Sequence, residues 1–263
     1  MASFFCIFAH INFNRMITDE QGKTIEERLY VLLHRADDQL AYHNYPYAES
    51  LLLKARALLS ETSDVGFVLH HNDIACRLAI AKMDFTQALN WCKSSLNLTE
   101  EPLIISKTSF MAAQCLFYIK GRETEVIKYC DDAIKYANMV DKQDAFKTEP
   151  MRYKAIVAFE SGDDDLAMHF INECMRFADD ANLPVEKAVS CSLRAKIFER
   201  KGKLQLALDD LLRAERYVKE DHDYNHYCRI AIQRVALMFK MGLDEQAKEV
   251  ILAIAKDKDI KRI

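Results

Sequence analysis

Few residue groups in this sequence have the types and spacing to do chemistry. The strongest set is His222, His226 and Cys228. A helix through His222 and His226 would put both imidazoles on one face, because residues four apart are helical neighbours. Imidazole and thiolate are zinc donors, but zinc modules draw paired ligands from more than one segment, and here one short segment supplies all three. His70 and His71 are adjacent, as are Asp37 and Asp38, and adjacent helical residues point apart. Asp163, Asp164 and Asp165 stand before a run of helical periodicity. Carboxylates there suit the helix dipole without a metal. Eight cysteines are present, with no CxxC and none within ten residues of another. Most fall on apolar stripes, where a free thiol behaves as a small hydrophobe. They read as reduced core thiols of a cytoplasmic protein. GxSxG, a glycine-rich phosphate loop and HExxH are absent from the sequence. The residues point away from catalysis, and no cofactor or metal is expected.

What must be explained instead is the scaffold. Apolar residues make up 50% and charged residues 29% of 263, as in globular domains. Glycine (6) and proline (4) are scarce, so few turns are available and long helices are favoured. The net charge of −4 argues against a nucleic-acid partner, since phosphate neutralisation needs a basic face. Residues 1–23 read as an N-terminal arm with an apolar patch at Phe4, Phe5, Ile7, Phe8 and Ile11. The patch is too short to span a bilayer and lacks the basic start of a signal peptide.

The stretch from Val185 to Glu220 shows how the rest is built. Val189, Leu193 and Ile197 lie on one helical face, then Leu204, Ala207, Leu208, Leu211 and Ala214 on another, with Gly202 between them. This helical hairpin recurs. Gly121, Gly162, Gly202 and Gly242 are spaced by 41, 40 and 40 residues. A small residue recurs at Ala48, Ala88, Val126, Ala167, Ala207 and Ala247, followed four residues later by Leu52, Cys92, Cys130, Ile171, Leu211 and Ile251. Thr24-Ile-Glu-Glu opens the first helix as a capping box. Pro102, Pro150 and Pro184 are expected in or beside the links, where proline costs least. Six hairpins follow, at about 24–60, 65–99, 102–139, 145–180, 185–220 and 224–256, ahead of a polar tail at 257–263. The fold class is all-α: a right-handed superhelical solenoid of antiparallel helix pairs spanning 24–256.

The order of small residue, turn glycine, small residue, larger apolar residue and small residue resembles the tetratricopeptide repeat. Ala195, Gly202, Leu204, Ala207, Leu211 and Ala214 carry the resemblance in the fifth hairpin. Ala155, Gly162, Ala167, Ile171 and Cys174 carry it in the fourth. The unit is nearer 40 residues than the family's usual 34, as in Rap-type bacterial receptors for signalling peptides. The resemblance implies a groove lined by the first helix of each hairpin that takes a protein or peptide. Carried onto this chain, the groove residues are His70, Asp73, Arg77, Tyr118, Glu149, Arg152, Tyr153, Lys196, Arg229 and Gln233. His34, Asp37, Met111, Cys115, Phe159, Ser192 and Glu199 share those faces. The clamp for acidic chaperone tails is not expected, because Leu33, Asp37, Ile74, Thr108 and Ala112 occupy the places of its lysines and asparagines. The resemblance therefore implies a scaffold or adaptor, or else a sensor of a small peptide that acts through a separate output protein. The apolar Val250, Ile251, Leu252 and Ile254 leave open a homodimer through the last hairpin.

Overall fold

The computed structural model describes residues 24–140 and 145–256. The expected N-terminal arm and polar tail, and with them Cys6, lie outside the described residues. Twelve α-helices and no strand occur among the described residues: α1 (Ile25–Ala41), α2 (Tyr45–Leu58), α3 (Val65–Ala81), α4 (Phe85–Leu96), α5 (Pro102–Tyr118), α6 (Glu123–Ala137), α7 (Ala145–Glu160), α8 (Asp164–Asp180), α9 (Pro184–Arg200), α10 (Leu204–Glu220), α11 (Tyr224–Lys240) and α12 (Asp244–Lys256). One 3-10 turn, Leu59–Glu61, follows α2. The hairpin bounds match those expected from the periodicity to within a few residues. The chain divides into two compact units, Met1–Leu78 and Ala79–Ile263, with the division inside α3.

In the first unit α1 packs on α2. Thr24 caps α1 as expected: its hydroxyl accepts from the Glu27 N–H, and Glu27 Oε2 accepts from the Thr24 N–H at 2.9 Å. Leu29, Leu33, Ala48, Leu51 and Ala55 form the buried seam.

In the second unit each helix from α4 onward packs on the next. The first helices also touch in series, α5 on α7, α7 on α9 and α9 on α11, which the second helices do not do to the same extent. Helices that approach more closely lie on the inner side of a bend. The first helices therefore line the concave side of this unit. The small-residue column makes the approach within hairpins possible: Ala88, Ala167, Ala207 and Ala247 are fully buried, and Val126 is nearly so. Around Ala207 the core gathers Ala188, Cys191, Ala195, Leu211, Ala214 and Val218 with Tyr227, Ile230 and Leu237 of the next hairpin. Asp210 sits inside it, held by Arg194 through two bonds of 2.6 and 2.7 Å from the neighbouring helix. Asp84, Asp163 and Asp223 cap α4, α8 and α11 by accepting backbone N–H bonds.

Two expectations need correcting. Pro150 is not in a link but inside α7, where it is buried. With no N–H it forfeits one bond to the preceding turn. As the sixth residue of α7 it lies beyond the first four N–H groups that lack partners in any helix, so the carbonyl left without that donor is Phe146's. Cys115, expected on the groove face, is completely buried. The stripe of α5 is apolar nearly all round, so its sequence does not reveal which side faces the concavity.

Candidate functional site

Three of the ten expected groove residues lie in the first unit. His70, Asp73 and Arg77 follow one face of α3. Arg77 Nη1 donates to Asp37 Oδ1 of α1 at 2.7 Å, and its Nε donates to Asp73 Oδ2 at 3.0 Å. Burial opposes the charge on Arg77, but Asp73 and Asp37 together hold the guanidinium above its ordinary value. His70 stands edge-on to His34 of α1, with ring centres 5.9 Å apart. Burial pushes both imidazoles below their ordinary value.

The other seven lie in the second unit. Tyr118 ends α5 and is exposed, its ring stacked on Phe85 at 4.5 Å. Tyr153 of α7 sits edge-on between Phe110 and Phe117 of α5 at 5.4 and 5.2 Å, and bonds to Gln114. Burial raises its phenol above the ordinary value. Arg152 of α7 donates to Glu186 of α9 at 2.7 Å and to Glu149 one turn back at 3.1 Å. Glu186 is pushed upward by burial, partly offset by Arg152. Gln233 of α11 accepts from the Ser192 hydroxyl of α9 at 2.6 Å and donates to the Ser192 carbonyl at 3.1 Å. Lys196 on α9 and Arg229 on α11 are exposed.

The concave side of the second unit is thus an aromatic floor flanked by polar ties. Tyr118, Phe117 and Tyr153 come together at α5 and α7, and Glu149 and Arg152 adjoin them. Arg152 and Gln233 use their polar groups to join successive first helices. The cation over Phe159 does the same: Arg200 of α9 lies 3.9 Å above that ring. Lys240 of α11 bonds Glu199 of α9 at 2.9 Å. Lys196 and Arg229 are not drawn into these ties among the described residues. Phe85, Phe110, Phe117 and Glu186 were missed by sequence reasoning. Their only signal is an aromatic or acidic residue opposite a groove position on the preceding or following helix.

His222, His226 and Cys228 do not converge as metal ligands among the described residues. His222 takes the left-handed turn conformation, φ +56, and His226 Nδ1 is 2.7 Å from the capping Asp223.

No family model matches the sequence, and no curated protein matches it. Solved structures do share the fold. The apo form of RapI superposes with a TM-score of 0.74 at 10% identity, over 92% of this chain and 69% of that one. NprR in complex with its cognate peptide NprX gives 0.65 at 14% identity, over 92% and 72%. A Pyrococcus horikoshii signal-transduction ATPase with a tetratricopeptide repeat sensor gives 0.71 at 12% identity, over 89% of this chain and 36% of that one. At such identities the likeness is one of fold. With the helix pairing and the repeat columns, it makes the described residues a tetratricopeptide-like array of helical hairpins.

Proposed function

We propose that the chain is a non-catalytic polypeptide-binding module that uses the concave side of its first helices. The observation that carries this reading is the aromatic floor of Tyr118, Phe117 and Tyr153, open to solvent at Tyr118, with exposed Lys196 and Arg229 further along the same series of first helices. Tyrosine and arginine are among the residue types enriched at binding hot spots. A second reading, a sensor of a small signalling peptide acting through a separate protein, is favoured by NprR, whose structure of like fold holds its cognate peptide. The site residues are the ten groove positions, the binding domain spans 24–256, and the compartment is cytoplasmic. The partner is a protein or peptide, not a nucleic acid, and no described helix is long and apolar enough to cross a membrane. A homodimer through α11 and α12 belongs to the same reading, supported by Ile251 and Leu252 at 44% and 56% exposure. Light scattering that finds only monomer at high concentration removes the dimer.

Selection from a random peptide library on the full chain tests the groove. Selected peptides should lose at least about tenfold in affinity to a Tyr118→Ala, Lys196→Ala variant, which leaves the ties between successive first helices intact and removes the stack of Tyr118 on Phe85. Equal binding by that variant, with its helicity unchanged, rejects the groove. Because one neighbour is named aspartyl phosphate phosphatase F, acetyl phosphate hydrolysis should be measured alongside. Turnover by the purified chain rejects the non-catalytic reading.

A further inference from the structure

The first helices of the second unit carry their groove residues in rows. Tyr118, Phe159, Glu199 and Phe239 stand at the same place on α5, α7, α9 and α11, at intervals of 41, 40 and 40 residues, the period of the turn glycines. Two turns earlier, Arg152, Ser192 and Ile232 form another row at intervals of 40. The middle of each row is occupied. Arg200 lies over Phe159, Arg152 donates to Glu186 and Glu149, the Ser192 hydroxyl donates to Gln233, and Glu199 accepts from Lys240. The ends are open. Tyr118 is exposed on α5, and on α11 Ile232 and Phe239 are 67% and 44% exposed on one helical face. Two cations are left over. Lys196 of α9 is exposed between the open ends, and Arg229 is exposed one turn from Ile232. The carboxylates of the same faces, Glu149 and Glu199, are each bonded to a cation already.

We propose that the polypeptide taken by this groove is an extended acidic segment with an apolar side chain near each end. The inference rests on the groove reading above and adds the chemistry of the ligand. One apolar side chain packs on Tyr118, the other packs on Ile232 and Phe239, and a carboxylate between them meets Lys196. Arg229 offers a second carboxylate its place beside Ile232. A cationic segment would set like charge against both residues, which costs affinity and rejects that partner. The length follows from the helices. Tyr118 and Phe239 are three first-helix steps apart, each step roughly 8–10 Å between packed axes. An extended chain advances roughly 3.3–3.6 Å per residue, so the two apolar side chains are about seven to nine residues apart. Lys196 and Arg229 are not the lysines of the chaperone-tail clamp, whose places hold Leu33, Asp37, Ile74, Thr108 and Ala112. The expected groove position Gln233 did not reveal this face, because its amide is turned to Ser192 of α9.

The peptides selected from the random library on the full chain are the probe. They should be enriched in aspartate or glutamate between two apolar residues about seven to nine positions apart, and selected peptides without that enrichment overturn the proposal. Ile232→Ala with Phe239→Ala should weaken them at least about tenfold. Lys196→Glu should weaken them too, and exchanging the central acid of the peptide for lysine should restore binding to that variant. If Tyr118→Ala with Lys196→Ala loses binding while Ile232→Ala with Phe239→Ala keeps it, this inference is wrong and the groove stands. If neither variant loses binding, the groove reading falls as well. Should the Ile232/Phe239 variant lose helicity, the charge exchange at Lys196 decides, and its failure to restore binding overturns the proposal. Light scattering covers the other occupant: a dimer of the unliganded chain that Ile232→Ala with Phe239→Ala turns into a monomer assigns that pair to a second copy and overturns the proposal.

Discussion

Removing the Arg152 side chain leaves Glu186 and Glu149 across α7 and α9 without the guanidinium that joins them. The side chains of Arg152 and Glu186 are only 15% and 17% exposed, so solvent replaces little of what is lost. Breaking a fully buried pair costs roughly 3–5 kcal/mol, and the half-exposed Glu149 lowers this to about 2–4 kcal/mol for Arg152→Ala. The pH dependence carries a sign. Burial lifts Glu186 above its ordinary 4.5, so the folded state holds this proton more tightly than the unfolded chain. Its contribution is fully present below 4.5 and is lost as pH rises through the folded value. Without Arg152 that value climbs further. Urea unfolding of Arg152→Ala should therefore show a larger loss at pH 7.5 than at pH 5. Equal losses would mean that the pair is solvated. The cysteines give a second expectation. Burial pushes the Cys130 thiol up to about 12 and those of Cys174 and Cys191 up to about 11, while Cys228 is the one described cysteine not fully buried. A pulse of iodoacetamide on native protein at pH 8, read by peptide mass spectrometry, should label Cys228 before these three. Labelling of Cys130 at the rate of Cys228 would contradict its packing.

Among the elements, the turns divide by residue type. Gly121, Gly162, Gly202 and Gly242 all take left-handed conformations, and so do His43 and Met83 in the first two hairpins. Left-handed backbone costs a side-chain-bearing residue roughly 1–2 kcal/mol, and glycine costs roughly 0.5–1 kcal/mol in chain entropy. Met83 is 75% exposed, so replacing it loses little packing. Met83→Gly should raise stability by about 0.5–1 kcal/mol, measured by thermal unfolding, and a lower Tm would show that the methionine side chain is held after all. The glycine and alanine columns were legible in the sequence because a turn needs one backbone conformation and a close helix contact needs one residue size. Both requirements recur with each hairpin. The ties between helices were legible only in part. Asp37–Arg77, Phe159–Arg200, Ser192–Gln233 and Glu199–Lys240 join residues 40 or 41 positions apart, one repeat, whereas Arg152–Glu186, Arg194–Asp210 and His34–His70 join residues 34, 16 and 36 apart, off that period. Arg234 and Glu215 are a harder case: Nε and Oε1 are 2.7 Å apart yet off hydrogen-bond alignment, in a buried pair that no pattern announces. Arginine and tyrosine at Arg152 and Tyr153 drew notice as binding types, and much of their polar and ring surface is already used within the array.

At the scale of the whole molecule, contact is local. In the second unit the substantial contacts of each helix are with the next helix or the next but one. Stability in such an array is a sum of hairpin terms and nearest-neighbour terms, so segments can open separately. The terms are unequal. Helix α10 buries Ala207, Asp210, Leu211, Ala214, Glu215 and Val218, while α12 buries Ala247 alone. Burying a large apolar side chain contributes roughly 1.5–3 kcal/mol, so Leu211 and Val218 set the two helices apart by two such contributions. Arg194 and Arg234 each reach α10 from a first helix, at Asp210 and Glu215. Opening α10 thus exposes two carboxylates and an apolar core together, whereas opening α12 uncovers little. Native-state amide exchange should accordingly be fastest in α12 and slowest in α9 and α10, with intermediate rates in α11. The ligand of the groove, once selected, should slow exchange in α5, α7 and α9, since it must span successive first helices to engage both Tyr118 and Lys196. One uniform protection level across α4 to α12 would show that the unit opens only as a whole, and that the neighbour-by-neighbour account of its stability is wrong.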